Sequence, residues 1–226
     1  MSKKISESAF SGLYEQKKDQ RLRQRLLDLL EEEGNSKRIS FEEFLNWADE
    51  DTLAEWVDGR VIMTSPASKR HQRISDFLTG ILRVFVEERK LGEILSAPFQ
   101  MKLPDSSREP DLMFVDESHL ERLKETYLDG SADLVVEIVS PESAGRDRGE
   151  KFYEYQEAGI PEYWLIDPQR EQAEFYQLDQ QGRYQLIAPD DEGIYRAGQL
   201  PGLALPVRWL WEHPPIVQAL KTLELV

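Results

Sequence analysis

Apolar residues recur along this chain with two different periods, and the changes of period mark its elements. Ile74, Phe77, Leu78, Ile81 and Phe85 follow one another at helical steps, which predicts a long helix introduced by Pro66 and closed by Gly92. Leu22, Leu26, Leu27, Leu29 and Leu30 within RLRQRLLDLLEEEG predict a short amphipathic helix ended by Gly34. Its flanks are polar, so 1–39 reads as a helical extension and 40–226 as the main domain. Ser40 with Glu43 forms a capping box that opens the helix FEEFLNWA. Asp58-Gly59 stands between AEWV and RVIM, the pattern of a tight hairpin. Strands are expected at 99–103 and 112–115, and LVVEIV at 134–139 reads as a central strand buried on both faces. A helix over 151–158 should end at Gly159-Ile160-Pro161, followed by the buried strand EYWLID. EFYQL and RYQLIA, joined by DQQG, predict a second hairpin, and the Pro- and Trp-rich tail reads as irregular. Helices and strands thus alternate around one sheet, an α/β architecture with a mixed central sheet flanked by helices.

Composition narrows the chemistry. A chain of 226 residues can bury roughly 70% of its unfolded surface, so it needs no metal or disulfide for stability. Its 40% hydrophobic and 10% aromatic content is that of a folded protein. The absence of cysteine excludes disulfides, thiolate metal sites and cysteine nucleophiles. With 3 histidines, a metal would be held mostly by carboxylates, which favours Mg²⁺ or Mn²⁺. No apolar run has the length of a membrane span, and the start MSKKISESAF lacks the apolar stretch of a signal peptide, so a cytoplasmic protein is expected. The net charge of −15 speaks against a general nucleic-acid coat, yet leaves room for a local basic patch.

One charged residue breaks the apolar pattern. Glu137 lies inside LVVEIV, where an ionised carboxylate costs several kcal/mol unless it is paired or binds a metal. By pattern alone it is either a strand-end group turned to solvent or an arginine, or a ligand. Asp111, after Pro110 and before LMFV, can reach a neighbouring strand; two such carboxylates can share one hard cation. By itself Pro-Asp also fits a strand-entry turn. Glu55 in the first hairpin is either an exposed cross-strand charge or a third acid of this group. Lys151, on the helix after Glu137, is either a solvated surface lysine or the cation that orients water and stabilises charge on phosphate. Two basic islands stand out, Lys69-Arg70-Arg73 around His71 and Arg146-Arg148-Lys151; bordering the acids, they would supply phosphate contacts. Tyr153, Tyr155, Tyr163 and Trp164 include core residues and are assigned no base-stacking role.

The strings AEWVDGRVIMTSPAS, REPDLMFV, ADLVVEIVSPES and RDRGEKFYEYQEAGIPEYWLIDP, with His71, resemble the Uma2 (DUF820) family of restriction-endonuclease-like proteins. That family belongs to the PD-(D/E)XK nuclease superfamily. The resemblance runs over roughly 40–210 and implies a restriction-endonuclease-like core. It makes Asp111 the PD aspartate, Glu137 the (D/E) position and Glu55 the upstream acid. Val139 stands where the superfamily's lysine is expected, and Lys151 fits a lysine moved to the following helix. The implied protein is a Mg²⁺- or Mn²⁺-dependent endonuclease acting on DNA. Asp111 and Glu137 hold the metal, Glu55 assists as a ligand or through water, and Lys151 positions the attacking water. The alternative is a catalytically silent scaffold of the same fold. A homodimer, with no membrane contact, is compatible with either.

Overall fold

Leu134–Ile138 is buried at every residue because sheet partners flank it on both sides and other elements cover both faces. The structure is a computed structural model that describes residues 38–48, 52, 54–63, 67–141 and 143–226. Contacts divide the chain into Met1–Ser40 and Phe41–Val226, and the second unit is described here. The helix expected at 22–34 and its Gly34 stop, like Pro66, lie outside the described residues.

The elements in chain order are α1 (Phe41–Trp47), β1 (Ala54–Val57), β2 (Arg60–Met63), α2 (Lys69–Arg89), β3 (Gly92–Ser96), β4 (Gln100–Lys102), β5 (Ser106–Arg108) and β6 (Leu112–Asp116). After a 3-10 turn come β7 (Tyr127–Asp129), β8 (Leu134–Ile138), α3 (Ala144–Arg148), α4 (Glu150–Glu157), β9 (Glu162–Asp167), β10 (Gln172–Leu178) and β11 (Tyr184–Leu186). The last are β12 (Ile194–Arg196), β13 (Ala204–Pro206), α5 (Trp209–Glu212) and α6 (Ile216–Thr222). The main sheet has the order β11-β10-β9-β8-β6-β3. Only β8 and β9 run parallel within it, and α3 with α4 supplies the crossover that a parallel pair requires. A second sheet, β2-β1-β5-β4-β7, and the β12-β13 ladder complete the strands. The single sheet expected from the sequence is therefore three.

Strand alternation sorts the core into two layers. Leu134, Val136 and Ile138 share one cluster with Leu112, Phe114 and the buried stripe of α2, Ile74, Phe77, Leu78, Ile81, Leu82, Phe85 and Val86. Val135 and Val139 share the other with Met113, Val115, Tyr155 and Tyr163, and with Met101 and Leu128 of the second sheet. Glu137 has the parity of this second layer, so the carboxylate enters the side covered by α4.

Local signals explain most boundaries. Asp58 (φ 48°) and Gly59 (φ 80°) make the two left-handed residues of the first hairpin's turn. Ser68 caps α2 by accepting from the His71 N–H. Two expectations need correction. Lys90, in the left-handed conformation (φ 53°), closes α2, whereas Gly92 opens β3. Gly92 has φ 146°, and a Cβ there would stand 2.0 Å from the carbonyl oxygen of Val115, so close pairing with β6 demands glycine. Nor is the tail irregular: Tyr195, Leu200, Leu203, Leu205, Trp209, Leu210, Ala219 and Leu220 join the α2 layer of the core.

Candidate active site

The cross-strand register places the acids. Leu112 lies opposite Val136, so continuing the antiparallel register by one residue sets Asp111 against Glu137 on the same face. In the second sheet Trp56 lies opposite Ser107, and the same step sets Glu55 against Arg108. Glu55 (2% exposed), Arg108 (1%), Glu137 (4%), Asp147 (1%) and Lys151 (5%) are all buried. This rules out a solvent-facing role for Glu55, Glu137 or Lys151.

Lys151 is the hub. Its Nζ stands 3.0 Å from Glu55 Oε1, 3.0 Å from Glu137 Oε1 and 3.5 Å from Asp147 Oδ1. Three elements, β1, β8 and α3, thus present carboxylates to one ammonium from α4. The Tyr155 hydroxyl donates to the same Glu137 oxygen at 2.7 Å. Glu55 is held further by Arg108, whose Nη1 is 3.2 Å from Oε2, and by the Glu109 N–H, 3.3 Å from Oε1. Arg108 also grips Glu154, with Nη2 at 2.6 Å from Oε2. Asp111 accepts the Ile138 N–H at 2.6 Å on Oδ2, and its Oδ1 lies 3.0 Å from Nε2 of His71. Gln100 donates to Glu109 Oε2 at 3.0 Å and to the Ala54 carbonyl at 3.1 Å.

Burial and charge act against each other here, with different outcomes. For Glu137, burial outweighs the pull of Lys151, and Asp147, Asp111 and Glu55 add to it; the carboxyl is pushed up to about 8. Burial also raises Glu55, but the charges of Lys151 and Arg108 prevail and hold it below the ordinary carboxylate value. Burial followed by repulsion from Glu55 pushes Glu109 up to about 7. For Lys151, burial disfavours the charge, yet Glu137, Glu55 and Asp147 more than compensate and keep it an ammonium. Burial pulls His71 down, and its bond to Asp111 with the nearby acid charges carries it above its usual value. Tyr155 is raised by burial and by Glu137, so it remains a phenol that donates.

Glu55, Asp111, Glu137 and Lys151, far apart in sequence, therefore lie in one network. His71, a weaker candidate by pattern, contacts Asp111 directly. Among the described residues, no three or more His, Asp or Glu side chains are gathered as a ready-made ion site; the Lys151 ammonium lies between Glu55 and Glu137. The second basic island is not a common surface. Lys151 is buried in the network, and Arg148 is committed to Glu174 and, at 3.4 Å, to Asp167. Pattern reading missed Arg108, Glu109, Asp147 and the role of Tyr155. Asp147 and Tyr155 stand four residues either side of Lys151, a helical spacing that the sequence does display. The pairing of Arg108 with Glu55 has no such local sign.

The mixed sheet with its parallel β8–β9 crossover and acid-bearing central strand defines a restriction-endonuclease-like fold. A family model described as "Uma2: putative restriction endonuclease" matches residues 41–208. The chain belongs to the Uma2 family. It is similar in fold to the crystal structure of "a putative nuclease belonging to DUF820" from Anabaena variabilis ATCC 29413, with a TM-score of 0.66 and 18% identity over 77% of this chain and 98% of that one. It is also 26% identical over 148 residues to "uncharacterized protein sll1609" of Synechocystis sp. (strain ATCC 27184 / PCC 6803 / Kazusa), covering 64% of this chain and 83% of that protein. Among the described residues, no helix is long and apolar enough to cross a membrane.

Proposed function

We propose that this chain is a divalent-cation-dependent endonuclease that hydrolyses phosphodiester bonds of DNA. The observation that carries the reading is the buried lysine ammonium shared by carboxylates of three elements, beside Asp111 in register with Glu137. The residues fit a hard cation: every acidic donor is an oxygen, and the acids outnumber Lys151 and Arg108, leaving negative charge that Glu137 meets by holding a proton. Mg²⁺ commonly binds through one or two carboxylates with water and phosphate completing its shell, so a three-acid cage is not required. Asp111 and Glu137 would hold it. When bound, such an ion supplies a water of lowered pKa and neutralises charge on phosphate.

The chain's own groups do the rest. Glu55, with both oxygens engaged by Lys151, Arg108 and the Glu109 N–H, anchors the lysine rather than standing open. Lys151 directs an N–H donor toward the attacking water and the phosphate oxygens. Lys69, Arg70 and Arg73 are exposed on the first turns of α2, and none is ion-paired among the described residues. His71, between them, faces Asp111 at 3.0 Å, so these cations border the acids and would grip the DNA backbone despite the chain's net charge. The test is cleavage of plasmid and oligonucleotide DNA in Mg²⁺ and in Mn²⁺ by the wild type, Asp111→Asn and Glu137→Gln. Cutting by the wild type that either substitution removes is expected. A wild type that leaves DNA intact with both cations overturns the reading.

A further inference from the structure

Asp147 is the one carboxylate of the network that has no established partner chemistry. It is 1% exposed, yet neither Oδ1 nor Oδ2 has a hydrogen-bond partner. Its nearest cation, Lys151, is 3.5 Å from Oδ1, beyond a good hydrogen bond, and that ammonium already serves Glu55 and Glu137 at 3.0 Å. The Ser143 hydroxyl, one turn earlier, accepts the Ser140 N–H at 2.9 Å; its own proton favours the Asp147 carboxylate, although it makes no hydrogen bond of good geometry to it. Its backbone is fully committed, with the N–H on Ser143 O at 2.9 Å and the carbonyl accepting from the Tyr163 hydroxyl at 3.1 Å, so the side chain is held in place.

A buried carboxyl with one long ion pair and no well-formed hydrogen bond costs free energy in either charge state. Ionised, it needs donors; protonated, its hydroxyl needs an acceptor. Such orphaned groups are rare and mark a place where something else binds or reacts. Here the position is specific. From α3, Asp147 brings Oδ1 to 3.5 Å from Lys151 Nζ, and its charge is felt by Glu137 and by His71. What a carboxylate in that place lacks is a donor bearing a transferable proton, and water is the donor that a hydrolytic site must admit.

We propose that Asp147 is a catalytic residue: it accepts the proton of the attacking water while Lys151 holds that water's oxygen. The inference rests on the endonuclease reading. The water oxygen bonds to phosphorus as the bond from phosphorus to the leaving ester oxygen breaks. One water proton passes to an Asp147 oxygen, the leaving oxygen takes a proton from bulk water, and Asp147 then returns its proton to solvent. No oxidation or reduction is involved. Burial keeps the Asp147 carboxyl above its ordinary value despite Lys151, which suits a group that must accept a proton.

Asp147→Asn separates this role from a structural one, because the amide keeps an oxygen facing Lys151 but cannot take a proton. Three quantities are measured on the full chain: single-turnover cleavage of a short duplex, Mn²⁺ affinity by calorimetry, and the melting temperature. The expected result is a fall in cleavage rate of about 10²–10⁴-fold with Mn²⁺ affinity and melting unchanged, and partial restoration of Asp147→Ala by added formate. Cleavage by Asp147→Asn within about threefold of wild type overturns the inference and leaves the endonuclease reading standing, since proton transfer should contribute far more. Loss of Mn²⁺ binding together with cleavage also overturns it, by making Asp147 a ligand. A wild type that cuts no DNA overturns both.

Discussion

Glu137→Gln should leave the metal-free protein about as stable as wild type near about pH 5 and increasingly more stable than wild type as the pH rises through about 7 to about 9. Glu137 is 4% exposed, with Lys151 at 3.0 Å and the Tyr155 hydroxyl at 2.7 Å on the same oxygen. Burial first, then repulsion from Asp147, Asp111 and Glu55, overcomes Lys151 and lifts the carboxyl from 4.5 to about 8. The folded state therefore keeps a proton that the unfolded chain releases. A raised value means that this group's stabilisation is complete below about 4.5 and is lost as pH rises through about 8. At about 1.4 kcal/mol per pH unit the loss is bounded near 5 kcal/mol, and relaxation with water entry leaves part of it. Glutamine presents an oxygen to the same two donors and has nothing to ionise, so this part of the pH dependence disappears. The assay is urea unfolding of both proteins in chelator at about pH 5, 7 and 9, where the midpoint reports stability if the slope is unchanged. Parallel wild-type and variant curves across that range would refute the argument. So would a loss of about 3–5 kcal/mol at neutral pH, the mark of a broken buried ion pair.

Added Mg²⁺ or Mn²⁺ should raise the melting temperature of the wild type and not of Asp111→Asn, because the ion binds only the folded site; melting curves with and without millimolar cation decide it. Lys151→Met removes the one ammonium between Glu55 and Glu137 and should destabilise the metal-free protein by about 3–5 kcal/mol, read by urea unfolding. Gly92→Ala forces a Cβ to within 2.0 Å of the Val115 carbonyl at φ 146° and should cost more than about 2 kcal/mol by the same measurement. Alanine at Lys69, Arg70 and Arg73 together should weaken DNA binding and lower its salt slope by up to about 3, measured by titration at several salt concentrations.

Most elements, and the residues that carry their candidate chemistry, are legible in local pattern. The step of Ile74, Phe77, Leu78, Ile81 and Phe85 is a property of neighbouring residues on one helix, and it buries the face it announces. Asp58-Gly59 adopts its turn for equally local reasons, and a lone glutamate in an apolar strand marked Glu137 before any contact was known. What these groups meet depends on how distant elements pack together. Arg108 faces Glu55 because two strands pair across 53 residues of chain, and nothing near either residue records that register. Lys90 rather than Gly92 ends α2, since β6 passes too close to residue 92 for a side chain. The tail gains order by packing on α2, a surface supplied from far upstream. Asp147 looks in sequence like one charge in a run of alternating signs; its burial with only a long contact to Lys151 becomes visible only when β1, β8, α3 and α4 close around that lysine. Periodicity is local and survives in the sequence, whereas burial and pairing depend on elements that are distant in the chain.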